Sequence, residues 1–252
     1  MHLARRLPLE SLCNARDLGG YATADGGVTR FGVYVRSEAP CCLPASDVDR
    51  LRDYGVRLSV DLRGLSEIAL RPSCLPPRIE SVACPLEGDA ESFVLSEPVR
   101  WDEIYIRRAE NNRPWTKTVL ELAARQDGCL LFHCTTGKDR TGLIACFLLA
   151  AAGVSREDIA ADYCVSEVYL QPVFRDMRRG AVAVRREKPD FDETIFHTPA
   201  SAMLALQDCL TARYGSVVGY LRTAGVGDDT LAAIREKFVS RGSDVFRAPE
   251  AL

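Results

Sequence analysis

Cys134 is a potential nucleophile, and Arg140, six positions later, is a potential anion-binding group. They lie in a short stretch that reads His-Cys-Thr-Thr-Gly-Lys-Asp-Arg-Thr-Gly over residues 133–142. An arginine fork binds two phosphate oxygens at once, and a thiol close to cations at a helix N-terminus favours its thiolate form. A thiolate beneath a bound phosphate is an in-line nucleophile on phosphorus. This spacing therefore predicts phosphoryl transfer to Cys134, with Arg140 holding the transferred group.

The residues on either side predict the elements that position this stretch. Residues 128–132 are an apolar run typical of a buried strand, and residues 143–152 are apolar and helix-forming as far as a glycine. A tight loop at a helix N-terminus directs N–H groups at an anion, and the helix dipole adds positive potential. We expect Lys138 to widen this anion site and the Thr141 hydroxyl to donate to the sulfur. The predicted substrate-binding residues are Thr135, Thr136, Gly137, Lys138 and Thr141.

The stretch resembles His-Cys-x5-Arg-Thr, the signature loop of the cysteine-dependent protein tyrosine phosphatase superfamily. Its Gly-Lys-Asp-Arg-Thr-Gly form is similar to a bacterial atypical group typified by mycobacterial protein tyrosine phosphatase B. Residues 14–20, residues 60–63 with Glu67 following, and residues 214–221 agree with that group in the same order. The resemblance covers most of the chain. It implies hydrolysis of phosphomonoesters through a phosphocysteine intermediate, with phosphotyrosine, phosphoserine, phosphothreonine and phosphoinositides as candidate substrates.

The leaving oxygen of a phosphomonoester needs a proton, and three aspartates are candidates for donating it. Asp139 lies inside the loop, where the resemblance implies an acid, although the adjacent cations favour its ionised form. Asp61 lies near the C-terminal end of a predicted strand at residues 56–62, and parallel strands would place it close to Cys134. The alternative explanation for Asp61 is a structural ion pair with a neighbouring arginine. Asp89 belongs to an acidic loop. We favour Asp139 and keep the other two as alternatives.

Two other classes of protein share parts of this pattern. A phosphate-binding module without activity would keep the loop and lack the acid, whereas a sulfurtransferase would form a persulfide on a cysteine at a helix N-terminus. Cys129 and Cys146 flank the loop in sequence, so each is a candidate for a protective disulfide with Cys134 under oxidation. The intact loop makes the phosphatase interpretation the first choice.

The amino-acid composition limits the kinds of partner and ligand that we expect for this protein. The 252 residues carry a net charge of −3, so no global field recruits nucleic acid, and the expected partner is a phosphorylated protein or lipid. The ten cysteines include no C-x-x-C pair, and there are only three histidines, so we expect no metal and no cofactor. The N-terminus lacks an apolar signal core, and no apolar run is long enough for a bilayer. We therefore expect a cytoplasmic protein without integral membrane contact, and export by a route without a signal peptide stays open.

The order of apolar periodicities favours an α/β fold with a central, mostly parallel sheet flanked by helices, as the resemblance to tyrosine phosphatases also implies. No linker divides the chain, so residues 1–252 are predicted to form one domain. The resemblance implies a helical lid insertion at about 155–198. Its apolar and basic side chains are compatible with peripheral lipid or an acidic peptide, and equally with an ordinary solvated helix face. The predicted helices are 45–54, 97–109, 114–126, 155–169, 198–214 and 229–240.

Overall fold

A five-stranded sheet lies at the centre of the protein, whose computed structural model describes residues 5–86, 100–185 and 193–241. The strands are β1 (Arg16–Asp17), β2 (Val28–Thr29), β3 (Tyr34–Glu38), β4 (Val56–Asp61), β5 (Glu80–Ala83), β6 (Cys129–Cys134) and β7 (Val239–Ser240). The central sheet has the order β1-β3-β6-β4-β5, in which β1 is antiparallel to β3 and the other neighbours are parallel. β2 and β7 pair in a separate small sheet. The predicted, mostly parallel sheet is confirmed.

The central strand β6 is buried along its whole length. Its side chains alternate between the faces of the sheet: Leu130 and Phe132 join the larger apolar core, and Cys129 and Leu131 join a smaller core on the opposite face. A parallel strand that is covered on both faces needs apolar side chains at successive positions. This requirement explains why the strand was visible in the sequence as a continuous apolar run.

Helices cover both faces of the sheet, as predicted. They are α1 (Ala45–Asp53), α2 (Leu65–Leu70), α3 (Trp101–Asn111), α4 (Arg113–Arg125), α5 (Asp139–Ala152), α6 (Arg156–Tyr169), α7 (Gln171–Arg185), α8 (Ala200–Tyr214), α9 (Val217–Thr223) and α10 (Asp228–Phe238). A 3₁₀ turn covers Glu193–Phe196. The last predicted helix is too long by two residues, because Val239 and Ser240 leave the helix and pair with β2. The short α2 was not predicted, since six residues are too few to show a helical period.

Helix α5 carries the second half of the predicted loop into the core. It starts at Asp139, is buried on nearly all sides, and ends where Gly153 adopts a left-handed conformation with φ +85°. Neither α5 nor any other helix in the three described ranges is long and apolar enough to span a membrane.

Helix α6 belongs to the packed helical layer. Ser155 caps its N-terminus by accepting a hydrogen bond from the Asp158 N–H at 3.1 Å. Asp162 and Tyr163 on this helix are buried against the elements that carry the loop. The predicted lid insertion at about 155–198 stays a prediction. The part of it after α6 packs separately, because Phe174 of α7 and Phe196 form a small apolar cluster with Leu170.

Candidate active site

The predicted loop connects the carboxyl end of β6 to the N-terminus of α5. Cys134 is the last residue of the strand and is only 2% exposed. Arg140 is the second residue of the helix, so the loop folds back and brings both residues to one end of the sheet. That end is where parallel α/β sheets bind ligands.

Gly137 lets this loop pack against the neighbouring strand. Its φ is +69°, and a Cβ atom at this position would lie 2.3 Å from the backbone carbonyl of Ser37 in β3. The backbone cannot move away at this point, because the N–H of Ala39, just beyond β3, also donates to the Thr135 carbonyl at 3.3 Å. A residue without a side chain is therefore required here, for both conformation and space.

The carbonyl groups of the loop are held from behind by two side chains. Asn14 Nδ2 donates to the carbonyl oxygens of Thr136 at 3.0 Å and Gly137 at 3.2 Å, and Arg36 Nη2 donates to Gly137 at 2.9 Å. The C=O and N–H of a trans peptide point in opposite directions. The N–H groups of Gly137 and Lys138 therefore point to the side opposite Asn14 and Arg36, as an anion-binding loop requires.

Arg36 and Asn14 are themselves fixed by a buried charge network. Asp162 Oδ2 accepts a hydrogen bond from Arg36 Nη1 at 2.5 Å, and Asp162 Oδ1 accepts one from Arg16 Nε at 3.0 Å. Arg16 also donates to the Asn14 side chain at 2.5 Å. Burial acts to raise the pKa of Asp162, but the two guanidinium groups lower it to about 2. Burial lowers the pKa of Arg36 to about 10, so this side chain stays charged.

Asp162 is a supporting residue that sequence reasoning missed. A signal existed, because Asp162 is an acidic residue among apolar residues that α6 buries, including Ile159, Ala160 and Tyr163. A buried carboxylate is costly unless it is paired. The sequence does not show, however, which cations lie opposite such a residue.

Arg140 pairs with Glu67 at the first turn of α2. Arg140 Nη1 donates to Glu67 Oε2 at 2.5 Å, and Nη2 donates to Oε1 at 2.9 Å. Thr135 Oγ1 also donates to Glu67, and the Gly64 N–H donates to Glu67 Oε2 at 2.9 Å. The hydrogen bonds from Arg140 lower the pKa of Glu67 to about 2. Glu67 therefore stays ionised and fixes the direction of the Arg140 guanidinium.

Asp61 lies close to the loop, as predicted, because β4 and β6 are parallel neighbours and Asp61 is in register with His133. Arg63 occupies both of its carboxylate oxygens, with Nε at 2.9 Å from Oδ1 and Nη2 at 2.6 Å from Oδ2. Burial acts to raise the pKa of Asp61, but hydrogen bonds from Arg63 lower it overall. This geometry is that of the structural ion pair considered above, and it keeps Asp61 ionised.

Two polar residues near Cys134 in the sequence, His133 and Thr141, are fully buried. His133 Nδ1 lies 3.7 Å from Asp61 Oδ1, and burial lowers the pKa of His133 to about 4, so the ring is neutral near pH 7. The Thr141 hydroxyl has no hydrogen-bond partner among the described residues. The predicted bond from Thr141 to the Cys134 sulfur is therefore not formed in this structure.

Asp139, the favoured acid, is the first residue of α5. Its Oδ1 accepts a hydrogen bond from Tyr105 Oη at 2.5 Å, and Lys138 Nζ lies 3.6 Å from the same oxygen. The side chain is 20% exposed, so the carboxyl is reachable from solvent. Asp89, the third candidate, lies outside the described residues.

Lys138 does not have the surroundings expected for a cation that widens an anion site. Its side chain is buried, and Nζ donates to the carbonyl oxygens of Ile195 at 2.7 Å and His197 at 3.1 Å. Nζ also lies 3.9 Å from the centre of the Trp101 ring. Lys138 therefore ties the loop to the segment at 193–197, a role that the sequence did not reveal.

The predicted disulfide between Cys134 and Cys129 is wrong. These residues occupy the two ends of the six-residue β6, about 16 Å apart at about 3.3 Å per residue. A disulfide needs Cα atoms within about 7 Å. The hypothesis for Cys146, which is buried in α5, stays a prediction. All ten cysteines are free in the structure.

No cluster of three or more metal-ligating side chains occurs among residues 5–86, 100–185 and 193–241. The site within these ranges consists of a buried thiol, one guanidinium, backbone amides and the carboxyl of Asp139. Groups of these types are chemically able to bind a phosphate, to attack phosphorus and to protonate a leaving oxygen.

Comparison with known proteins identifies the family of this chain. The family model described as tyrosine phosphatase family matches residues 7–240. The chain is 34% identical over 220 residues to a tyrosine-protein phosphatase of Nostoc commune, an alignment that covers 83% of this chain and 75% of that protein. It is 30% identical over 269 residues to the triple specificity protein phosphatase PtpB of Mycobacterium tuberculosis, covering 88% of this chain and 95% of that protein. The chain therefore belongs to the tyrosine phosphatase family and is a hydrolase.

Proposed function

We propose that this protein hydrolyses phosphomonoesters, phosphotyrosine foremost, through a phosphocysteine at Cys134 and without a metal ion. One observation carries the proposal: the loop after Cys134 has its carbonyl groups held from behind while Arg140 is oriented by Glu67. This arrangement leaves amide donors and a guanidinium to stabilise the charge of a phosphoryl group during transfer.

The reaction proceeds in two displacements. In the first, the Cys134 thiolate attacks phosphorus, the P–S bond forms, the ester P–O bond breaks, and Asp139 gives its proton to the leaving oxygen. In the second, a water molecule loses a proton to the Asp139 carboxylate and attacks phosphorus. The P–S bond then breaks, which releases phosphate and regenerates the Cys134 thiolate.

The Asp139 carboxyl is reachable from solvent, whereas Arg63 occupies both oxygens of Asp61. Substitutions of the two aspartates should therefore affect turnover differently. Asp139→Asn is expected to lower kcat about a hundredfold or more, the usual contribution of general acid catalysis. Asp61→Asn is expected to lower kcat less than tenfold and to destabilise the fold, because Asp61 serves mainly to hold Arg63. Steady-state kinetics with phenyl phosphate, whose leaving group needs a proton, would measure both. Equal losses in the two variants would contradict the assignment.

The test of the proposed function is isolation of the intermediate. Turnover of para-nitrophenyl phosphate in EDTA should persist, and acid quenching followed by proteolysis and mass spectrometry should place phosphate on the peptide that contains Cys134. Asp139→Asn should accumulate more of this species, because the second displacement lacks its base. Absence of turnover in the wild type would reject the proposal. Thiocyanate formation from thiosulfate and cyanide would then favour a sulfurtransferase, and phosphate binding alone would favour an inactive module.

The breadth of substrates follows as a part of this proposal. One relative is named for triple specificity, so phosphoserine and phosphoinositide esters belong in the same assay beside phosphotyrosine. The expected partner is a phosphorylated protein or lipid. A cytoplasmic location, a single domain over 1–252 and contact of the region after α6 with a lipid surface stay predictions.

A further inference from the structure

Three oxygen atoms from three different helices form a buried chain that ends at Asp139. Tyr163 Oη of α6 lies 2.6 Å from Tyr105 Oη of α3, and Tyr105 Oη lies 2.5 Å from Asp139 Oδ1. Tyr105 is fully buried and Tyr163 is 1% exposed. The two displacements described above do not assign any role to these tyrosines.

The number of available protons determines which group donates in each hydrogen bond of this chain. Each tyrosine carries one hydroxyl proton, and a carboxylate only accepts. Tyr105 therefore donates to Asp139, and Tyr163 must donate to Tyr105. When Asp139 is protonated, Oδ1 still accepts from Tyr105 if the acidic proton sits on Oδ2. The chain is thus satisfied in both protonation states of Asp139, provided that the proton stays on Oδ2.

Ring packing keeps the chain in place. The ring of Tyr105 meets that of Tyr163 edge-on at a centroid distance of 5.7 Å, and the centroid of the Trp101 ring also lies 5.7 Å from that of Tyr105. Tyr163 lies against Gly142, where a Cβ atom would be 3.2 Å from Tyr163 Cδ2. The glycine that follows Arg140 and Thr141 in the loop sequence thus leaves room for Tyr163.

The surroundings of this hydrogen-bond chain favour the neutral, protonated form of both tyrosines. Burial, followed by the charge of Asp139, raises the pKa of Tyr105 well above its ordinary value, and the same two causes raise the pKa of Tyr163. Arg36 of β3 opposes this change at Tyr163. Lys138 Nζ lies 3.6 Å from Asp139 Oδ1. Both hydroxyl groups therefore remain donors over the whole working pH range.

Two further groups act on Lys138, which is the cation nearest to Asp139. Arg108 of α3 disfavours the charged form of Lys138, and Glu167 of α6 favours it. Neither group forms a link of the chain. Within the described residues, the Asp139 carboxyl meets Tyr105 Oη at 2.5 Å and Lys138 Nζ at 3.6 Å, so the tyrosine hydroxyl is the closer of the two.

We propose that Tyr105 and Tyr163 are positioning residues for Asp139, holding Oδ1 so that Oδ2 carries the proton to the leaving group. This inference rests on the proposed function, because it assigns how the acid of that reaction is oriented. It applies to both displacements. The Oδ2 atom gives its proton to the leaving group in the first displacement, and the same atom takes a proton from water in the second displacement.

The test is the pH dependence of kcat/KM for Tyr105→Phe. Loss of the donor makes the ionised Asp139 less favourable, so the basic limb of the profile should move upward by about one pH unit. At the optimum, kcat should fall about tenfold for phenyl phosphate and less for para-nitrophenyl phosphate, whose leaving group needs less protonation. Tyr163→Phe should shift the limb in the same direction by a smaller amount, because it removes the second link.

Two controls separate positioning from general damage to the fold. Tyr34→Phe removes an equally buried hydroxyl that donates to the Ala123 carbonyl at 3.0 Å, and its profile should match the wild type. In an Asp139→Asn background, Tyr105→Phe should cause no further loss of kcat. A basic limb that does not move in Tyr105→Phe would overturn this inference alone. A wild type without turnover would overturn the proposed function and this inference together.

Discussion

Cys134→Ser is expected to lower kcat for para-nitrophenyl phosphate by at least about ten-thousandfold, because the nucleophile is lost while the site keeps its shape. A serine hydroxyl is intrinsically a much weaker acid than a thiol, so the variant lacks a comparable anionic nucleophile. The neighbouring His133 lies with Nδ1 3.7 Å from Asp61 Oδ1, and neither of its ring nitrogens has a hydrogen-bond partner among the described residues. The loss should therefore appear in kcat and not in phosphate affinity.

Calorimetry with inorganic phosphate separates this loss from unfolding. The Cys134→Ser variant should bind phosphate about as tightly as the wild type, because the amides, Arg140 and Glu67 are unchanged. Cys209→Ser, on α8, is the matched control and should keep full activity. Residual turnover above about 1% of wild type in Cys134→Ser would mean that another group attacks phosphorus.

Asp162→Asn is expected to destabilise the protein by about 3–5 kcal/mol, the usual result of removing one partner from a buried ion pair. The change leaves Arg16 and Arg36 together without their counter-ion, and both are at most 2% exposed. Activity should fall as well, because Arg36 holds the Gly137 carbonyl at 2.9 Å. Urea unfolding monitored by circular dichroism would give the free energy of unfolding for each variant.

An exposed aspartate on the same protein supplies the control. Asp208 pairs with Arg156 at 2.8 Å, but its side chain is 59% exposed, so Asp208→Asn should cost less than about 1 kcal/mol. A similar cost for Asp162→Asn would show that the buried network contributes little to stability.

The difference in stability between the wild type and Asp162→Asn should depend on pH. The ion pairs hold the pKa of folded Asp162 at about 2, below its ordinary value of 3.8. The stabilisation is therefore complete above about pH 4 and disappears as pH falls through about 2. The difference in unfolding free energy between wild type and Asp162→Asn should shrink over this interval.

The candidate reactive residues and the strand, loop and helix that carry them could be predicted from the sequence alone. Cys134, Arg140 and the residues between them form one continuous strand, loop and helix, whose apolar runs are local signals. The parallel sheet also followed from local patterns, and with it the approach of Asp61 to His133. These features depend on residues that are close in sequence or on the period of a single element.

The pairing of polar groups from distant parts of the sequence could not be predicted and is visible only in the folded protein. Glu67 pairs with Arg140 from 73 positions away, and Asp162 lies 126 positions from Arg36. Side-chain type gives charge and hydrogen-bonding capacity, but not a partner, and the cost of burial is avoided only when the folded chain supplies one. For this reason the sequence assigned Lys138 to the anion site, whereas in the fold its ammonium binds the carbonyls of the segment at 193–197.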